Sequence, residues 1–173
     1  MTINFAILGA GRIGQVHARA VADNENAVLR AVADPMPDAA DAIADRYSCD
    51  VRTIDEIADS SDIDAVVICT PTDMHADLIE QFAHEKKAIF CEKPIDLDVA
   101  RVRDCLEVVA AEDGFLMVGF NRRFDPHFMA VREAIEKGQI GTPEMAIITS
   151  RDPGAPPAEY IQPVSYTHLT LPT

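Results

Sequence analysis

The sequence predicts an α/β fold, a doubly wound parallel sheet, followed by the truncated start of a second α+β domain. Two observations support this prediction. As far as Phe120, short apolar segments alternate with longer segments whose apolar residues have helical spacing. After Phe120 this regular alternation changes. Strands and helices that alternate in this way form a parallel sheet with right-handed crossovers and helices on both faces.

Five short segments are predicted to be strands of the sheet. They are four to seven residues long, nearly continuous in apolar residues and rich in Val, Ile and Phe. This pattern is typical of parallel strands that are buried on both faces. The weaker segment Asp50–Arg52 is predicted to be the third strand in the chain. The five clear strands are Ile3–Leu8, Ala27–Ala33, Ala65–Cys69, Ala88–Cys91 and Phe115–Phe120.

Helices are predicted between these strands from the spacing of apolar residues and from capping residues. Thr53 and Glu56 have the spacing of a capping box, which predicts a short helix after them. Asp96 is a suitable N-cap for a later helix, and Gly114 is predicted to end it. The predicted apolar stripes are Ile13, Val16 and Ala20 on the first helix, Leu78 and Phe82 on another, and Val99, Val102, Leu106 and Val109 on the helix after Asp96.

The segment after Phe120 predicts the beginning of a second domain. Asp125 and Pro126 are typical of an N-cap and a first helical residue. The stripe Phe128, Val131 and Ile135 follows, and Gly138 is expected to stop the helix. Glu144–Thr149 is predicted to be a strand that opens the second domain. We therefore divide the chain into a first domain at 1–121, the start of a second domain at 122–162, and a tail at 163–173.

Composition and charge exclude several classes of protein. The formal net charge of −14 argues against a nucleic-acid surface, because phosphate backbones attract basic patches. No apolar run approaches the ~20 residues of a membrane span, and the N-terminus lacks the basic region of a signal peptide. The four cysteines contain no Cys-x-x-Cys pair and are expected to be free thiols. We expect a cytoplasmic protein without a metal site.

A glycine-rich motif follows the first predicted strand directly. Residues 9–14 read Gly-Ala-Gly-Arg-Ile-Gly, which fits G-x-G-x-x-G, and Arg12 and Ile13 open the next helix. In a Rossmann-type domain Gly9 permits the tight turn, Gly11 lets a pyrophosphate approach the backbone, and Gly14 lets helix and strand pack closely. The helix N-terminus attracts the phosphates despite the acidic chain. An ordinary strand-to-helix turn is the alternative.

An acidic residue ends the second predicted strand. Asp34 lies 20 residues after Gly14, the position of the acid that binds the adenosine ribose. A carboxylate there favours NAD over NADP, because it would repel the 2′-phosphate of NADP. The alternative is that Asp34 only caps the turn before Pro35.

Two later strand ends carry polar residues where this fold binds ligands. Thr70 and Pro71 are placed to border the nicotinamide ribose with backbone groups, and His75 is placed to face the cofactor or lie at the surface. Glu92 and Lys93 follow the next strand. Lys93 is either a group that helps to deprotonate a substrate hydroxyl or a solvated surface lysine.

Together these motifs resemble the glucose–fructose oxidoreductase/inositol dehydrogenase (Gfo/Idh/MocA) family over residues 3–162. They are the glycine motif with Asp34, Thr70-Pro71-Thr72 with His75, and Glu92-Lys93-Pro94. Residues 119–125 and 150–153 are similar to the inositol dehydrogenase branch. The resemblance implies NAD as cofactor, which Glu92 and Lys93 help to bind, and a catalytic role for Lys93 in binding the substrate hydroxyl and orienting the nicotinamide. It also implies Arg122 or Arg123 at the substrate pocket. In this family residues 1–121 would be the NAD-binding Rossmann domain, and residues 122–162 would begin a truncated substrate or oligomerisation domain. His17 is expected to be a packing residue.

The resemblance also implies a longer parent protein. Family members are about twice this length, and their second domain carries an Asp-x-x-x-His motif that is not found after Asp152 here. Residues 164–173 match a translated sequencing adapter and are expected to be non-native. We expect the parent to be a homo-oligomeric oxidoreductase acting on a polyol or sugar, with myo-inositol as the first candidate, and the fragment itself to be inactive. The alternatives are another sugar dehydrogenase of the family and a non-catalytic, dinucleotide-binding redox sensor.

Overall fold

The computed structural model describes residues 2–151. Residues 2–119 form one compact unit and residues 120–151 belong to a second, and each is described by itself. The predicted tail at 163–173 and the motif residues 152 and 153 lie outside the described residues.

The first unit contains a single sheet of six parallel strands in the order β3-β2-β1-β4-β5-β6. Strand order therefore reverses between β1 and β4, which confirms the predicted doubly wound sheet. Leu8 pairs with Ile68, and Ile68 with Cys91, so the carboxyl ends of β1, β4 and β5 reach the same edge. The strands are β1 Ile3–Leu8, β2 Ala27–Ala33, β3 Asp50–Val51, β4 Ala65–Ile68, β5 Ala88–Cys91 and β6 Leu116–Val118.

Five helices cover the two faces of this sheet. One face packs a core that includes Ile7, Val32 and Ile43 beneath α1 and α2. The other packs a core that includes Ile68 and Phe82 beneath α3, α4 and α5. Helices on both faces bury the nearly continuous apolar strands. The helices are α1 Arg12–Ala22, α2 Pro37–Tyr47, α3 Ile54–Ala58, α4 His75–His84 and α5 Val99–Ala111.

The buried face of α1 differs from the predicted stripe. Gly14 and Ala18 are buried, whereas Val16 and Ala20 are exposed. The helix lies so close to the sheet at Gly14 that small residues occupy its inner face. The prediction from large apolar residues was therefore wrong by about one residue around the helix.

Helix α5 begins later than predicted. Its N-cap is Asp98, whose side chain accepts a hydrogen bond from the Ala100 amide at 2.8 Å. Asp96 instead accepts from the Asp98 amide at 2.8 Å, which forms a turn before the helix. With this start, Cys105 and Val109 are buried, whereas Val99 and Leu106 of the predicted stripe are exposed.

Two further helices show what local signals do and do not reveal. The capping box of α3 is confirmed, because Thr53 and Glu56 exchange both side-chain-to-backbone hydrogen bonds. Helix α2 was not predicted. Its buried residues are Ala40 and Ile43, and a stripe made largely of alanine gives little apolar contrast.

The second unit contains α6, Pro126–Glu136, after a 3-10 turn at Asn121–Phe124. Asp125 caps α6 through its carboxylate, as predicted, and Gly138 with φ +66° follows the helix. The strand predicted at Glu144–Thr149 is absent from the described structure. Ile147 and Ile148 are each 85% exposed there, and an extended segment without a hydrogen-bonded neighbour is not a strand.

Candidate nucleotide-binding site

The glycine motif forms the turn between β1 and α1. Gly9 has φ +97°, and a Cβ there would lie 2.7 Å from the carbonyl carbon of Cys69. A Cβ on Gly14 would lie 1.9 Å from the Gly9 oxygen. In contrast, a Cβ on Gly11 would meet nothing within 4 Å. Gly9 and Gly14 are thus required by the fold, whereas Gly11 borders open space beside the backbone.

The N-terminus of α1 suits an anion. Its N-cap is Gly11, which has no side chain to cap the helix, and the first turn, which begins with Arg12 and Ile13, contains no acidic residue. The positive end of the helix dipole therefore lies beside the open space at Gly11. A pyrophosphate would fit this arrangement because backbone amides and the dipole attract negative charge locally.

Asp34 connects the end of β2 to the glycine motif. Its Oδ2 accepts a hydrogen bond from the Ala10 amide at 2.6 Å, and its Oδ1 accepts one from the Met36 amide at 2.8 Å. The second bond is the turn cap that was the alternative interpretation of this residue. The first places the carboxylate at the phosphate turn itself. Asp34 therefore caps the turn before Pro35, and its carboxylate also lies at the glycine motif.

The end of β4 lies against the same turn. The Cys69 amide donates to the Leu8 oxygen at 2.7 Å, and a Cβ on Gly9 would lie 2.9 Å from the Thr70 nitrogen. The Thr70 hydroxyl is the one buried side-chain polar atom without a hydrogen-bond partner among residues 2–151. Such an atom is costly unless a ligand or water completes it. This orphaned hydroxyl beside Gly9 fits a polar ligand at this strand end.

Glu92, at the end of β5, is held from several sides. Its Oε1 lies 2.8 Å from His17 Nε2, and its Oε2 accepts from the Lys93 amide at 3.3 Å. A Cβ on Gly119 would lie 3.2 Å from this carboxylate, so the glycine makes room for it. The hydrogen bond from His17 is the largest of the effects that lower the pKa of Glu92 below its ordinary value.

His17 was expected only to pack, and the structure shows a second contact. Its ring does pack against Phe90, with centroids 4.9 Å apart, but the same ring reaches Glu92. His17 stands three residues after Gly14, on the side of α1 that faces the sheet. The spacing of three residues between Gly14 and His17, which places both on one side of the helix, is the signal that could have indicated the contact with Glu92.

Lys93 is exposed at the edge where β1, β4 and β5 end. Within the described part of the chain its ammonium group makes no ion pair or hydrogen bond, and the charge that it influences is that of Glu92. An uncommitted amine at this strand end is available to bind a hydroxyl group. A surface lysine without a catalytic role, which is the alternative, would have the same exposure.

The remaining predicted site residues are His75 and Pro71, in the first unit, and Arg122 and Arg123, in the second. His75 was predicted to face the cofactor or to lie at the surface, and both interpretations are wrong: the residue is only 2% exposed, and its ring nitrogens face the oxygens of Thr70 and Pro94. Arg122 and Arg123 belong to the second unit, where the Arg122 guanidinium stacks on Phe128 at 5.1 Å from the ring centroid. Pro71 precedes the 3-10 turn Thr72–Met74, whose buried residue is Thr72.

The described residues carry no other candidate chemistry of these kinds. Within residues 2–151 no three His, Cys, Asp or Glu side chains are placed to hold a metal ion. All four cysteines are free thiols, as predicted. Burial raises the pKa of Cys69 to about 12 and that of Cys105 to about 11. None of the helices in the described region has the length and hydropathy required to cross a bilayer.

Comparison with known proteins identifies relatives over most of the chain. Inositol 2-dehydrogenase of Rhizobium meliloti (strain 1021) is 68% identical over 162 residues, which are 94% of this chain and 49% of that protein. Myo-inositol 2-dehydrogenase of Thermotoga maritima is 37% identical over 92% of this chain and 48% of that protein. The chain thus spans about half the length of the curated relatives it matches.

A solved structure with bound ligands has the same fold. The scyllo-inositol dehydrogenase of Lactobacillus casei, crystallised with NAD(H) and scyllo-inositol, superposes with a TM-score of 0.77. It is 31% identical, and the match covers 82% of this chain and 43% of that one. Residues 3–120 match the family described as an oxidoreductase family with an NAD-binding Rossmann fold. The chain belongs to this Gfo/Idh/MocA oxidoreductase family, and its first unit is the NAD-binding Rossmann domain.

Proposed function

We propose that the protein of which this chain is part is an NAD-dependent dehydrogenase that oxidises a secondary alcohol of a cyclitol, with myo-inositol as its preferred substrate. The observation that carries this proposal is the placement of Lys93. An amine without an ion pair among the described residues stands where three strands of the nucleotide-binding domain end. The 68% identity to an inositol 2-dehydrogenase supports the choice of a cyclitol.

In this proposal different residues bind different parts of the dinucleotide. Gly9, Gly11, Arg12, Ile13 and Gly14 hold the pyrophosphate at the N-terminus of α1. Asp34, already fixed by the Ala10 amide, accepts the hydroxyl hydrogens of the adenosine ribose.

The nicotinamide end is assigned to the loops after β4 and β5. Thr70 supplies its unpartnered hydroxyl and, with Pro71, borders this end. The Glu92 carboxylate accepts a hydrogen bond from the Lys93 amide and so helps to fix the loop after β5. When bound, NAD supplies the hydride acceptor.

Lys93 contributes proton chemistry at the reacting alcohol. Its amine binds the substrate hydroxyl and helps to remove the proton that leaves as the carbon is oxidised. A polyol is uncharged, so the net charge of −14 does not oppose its approach. We further propose that Arg122 or Arg123 contributes to the substrate pocket.

The remaining expectations also stay proposals. We propose that residues 122–162 begin a substrate and oligomerisation domain and that the working protein is a homo-oligomer in the cytoplasm. Exposed apolar side chains in the second unit, such as Phe128 and Ile135, suit burial against further protein. Four free cysteines suit a reducing compartment.

A chimera tests the proposed activity directly. Residues 1–151 of this chain replace their counterpart in the Rhizobium meliloti relative, to which this chain is 68% identical. We expect NADH formation with myo-inositol, slower formation with glucose, and none from the 173-residue chain alone. A folded chimera that binds NAD but oxidises no cyclitol would favour a different sugar dehydrogenase if it oxidises glucose, and a redox sensor if it oxidises neither.

A further inference from the structure

We propose that His75 is a positioning residue that ties together the loops after β4 and β5 and thereby sets the nicotinamide end of the site. The predicted effect of this positioning role on catalysis by Lys93 rests on the proposed function. The predicted effect on cofactor binding does not.

The contacts of the ring carry the proposal. His75 Nδ1 lies 2.7 Å from the Pro94 oxygen, and Nε2 lies 2.8 Å from the Thr70 oxygen. The residue is 2% exposed, so the ring is inside the protein rather than in the cleft. Pro94 directly follows Lys93, and Thr70 carries the orphaned hydroxyl. One side chain therefore connects both loops that we assign to the nicotinamide end.

The pairing of β4 with β5 ends before these loops. The Glu92 amide donates to the Ile68 oxygen at 3.0 Å. Beyond that bond, no backbone hydrogen bond joins residues 69–74 to residues 93–97 in the part of the chain that the structure describes. The imidazole of His75 thus continues the connection where the ladder stops. Its own backbone begins α4, which is anchored by the fully buried Ile79 and Phe82.

The chemistry of the ring explains why histidine stands here. Carbonyl oxygens only accept hydrogen bonds, so a ring nitrogen that bonds the Pro94 or the Thr70 oxygen is the donor. The side-chain amide of asparagine or glutamine can replace only one of the two ring nitrogens. The asparagine amide nitrogen reaches as far as Nδ1, and the glutamine amide nitrogen reaches as far as Nε2. His75→Asn therefore keeps a donor toward Pro94, His75→Gln keeps one toward Thr70, and His75→Leu removes both.

Ligand binding to the 173-residue chain tests the tie without any activity. The dissociation constants of NADH and ADP-ribose are measured for the wild type and the three variants. ADP-ribose lacks the nicotinamide, so its binding should change by less than about twofold, because its contacts lie at the glycine motif and Asp34. NADH binding should weaken about fivefold in His75→Leu, the effect of one typical net hydrogen bond, and less in the other two variants.

The control is Ile79→Val, which disturbs the same helix but neither carbonyl contact. It should leave both dissociation constants unchanged. A purely structural role of His75 predicts instead that NADH and ADP-ribose weaken together, and this result would overturn the proposal. So would unchanged NADH binding in all variants. If His75→Leu does not fold, the same comparison in the asparagine and glutamine variants decides.

The chimera supplies the kinetic arm. Because the Pro94 contact is the one next to Lys93, His75→Gln should lower kcat roughly tenfold or more, whereas His75→Asn should retain most of it, with KM for the alcohol little changed in both. Equal losses in the two variants would contradict positioning through Pro94. A chimera without turnover would refute the proposed function, and the binding experiment on the chain would still decide the role of His75.

Discussion

His17 and Glu92 are joined across the nucleotide-binding domain, with Nε2 of the histidine 2.8 Å from Oε1 of the glutamate. His17 belongs to the helix that starts at the glycine motif, and Glu92 immediately precedes Lys93. The glutamate side chain also accepts from the Lys93 amide. This pair therefore links the element assigned to the phosphates with the loop that carries the proposed catalytic lysine.

The pair predicts a pH dependence of stability. The pKa of Glu92 in the folded protein lies below its ordinary value of 4.5, chiefly because of the hydrogen bond from His17. A lowered folded-state pKa stabilises the fold above the unfolded pKa, and this stabilisation is lost as the pH falls through the folded value. Glu92→Gln should therefore be less stable than the wild type at neutral pH, and the difference should shrink below about pH 4.5.

Urea unfolding at neutral and acidic pH measures this difference in free energy. Glu107→Gln is the matched control, because Glu107 is an exposed glutamate of α5, and its effect should be small at neutral pH. A destabilisation by Glu92→Gln that stays constant or grows in acid would show that the carboxylate charge does not stabilise the fold.

The glycine motif predicts opposite outcomes for two alanine substitutions. Gly14→Ala should destabilise the domain severely, because its Cβ would lie 1.9 Å from the Gly9 oxygen. Gly11→Ala should fold with an unchanged melting temperature but bind NAD more weakly, since its Cβ would enter the space assigned to the pyrophosphate. Thermal unfolding and NAD titration of both variants check this. Normal NAD affinity in Gly11→Ala would place the phosphates elsewhere.

Asp34 predicts preference for NAD over NADP and allows its two roles to be separated. Asp34→Asn removes the charge but keeps an oxygen that can accept from the Ala10 amide, whereas Asp34→Ala removes both. The ratio of the NADP dissociation constant to the NAD dissociation constant should fall about tenfold in Asp34→Asn if charge repulsion contributes ~1–2 kcal/mol. Asp34→Ala should additionally weaken the binding of both cofactors. Tighter binding of NADP than of NAD by the wild type would refute this assignment.

The cysteines are predicted to be unreactive in the folded chain. Burial raises the pKa of Cys69 to about 12, and the pKa of Cys91 is also raised, first by burial. The thiolate is the reactive form, so alkylation by iodoacetamide at mildly alkaline pH should be slow at both positions and fast after unfolding in urea. Mass spectrometry of the modified peptides measures the rates. Rapid labelling of Cys69 in the folded protein would contradict this prediction.

The sequence predicted those features that depend on neighbouring residues. The five clear strands, the glycine turn, the capping box at Thr53 and the N-cap at Asp125 each follow from a few consecutive side chains. The buried faces of α1 and α5 were partly wrong, because small residues such as Gly14, Ala18 and Cys105 pack where the helices lie closest to other elements. The pattern of apolar residues along the chain does not show how closely a helix packs against its neighbours.

The contacts within the site could not be predicted, because the sheet order creates them. His17 meets Glu92 across 75 residues of chain, and His75 meets Pro94 across 19. The motifs marked Glu92 and Lys93 as residues of a strand end, but not which partners hold them. The strand expected at Glu144–Thr149 shows the converse: an apolar segment alone does not form a strand without a hydrogen-bonded neighbour.

The most direct test of the account is the effect of Lys93→Ala in the chimera with the Rhizobium meliloti relative. Steady-state NADH formation from myo-inositol gives kcat, and equilibrium titration gives the dissociation constant of NAD. Lys137→Ala, at the exposed end of α6, is the matched control. We expect kcat to fall ~10²–10⁴-fold in Lys93→Ala, the cost of a lost acid–base group, while NAD affinity changes little. A near-normal kcat would contradict the account and return Lys93 to an ordinary surface lysine.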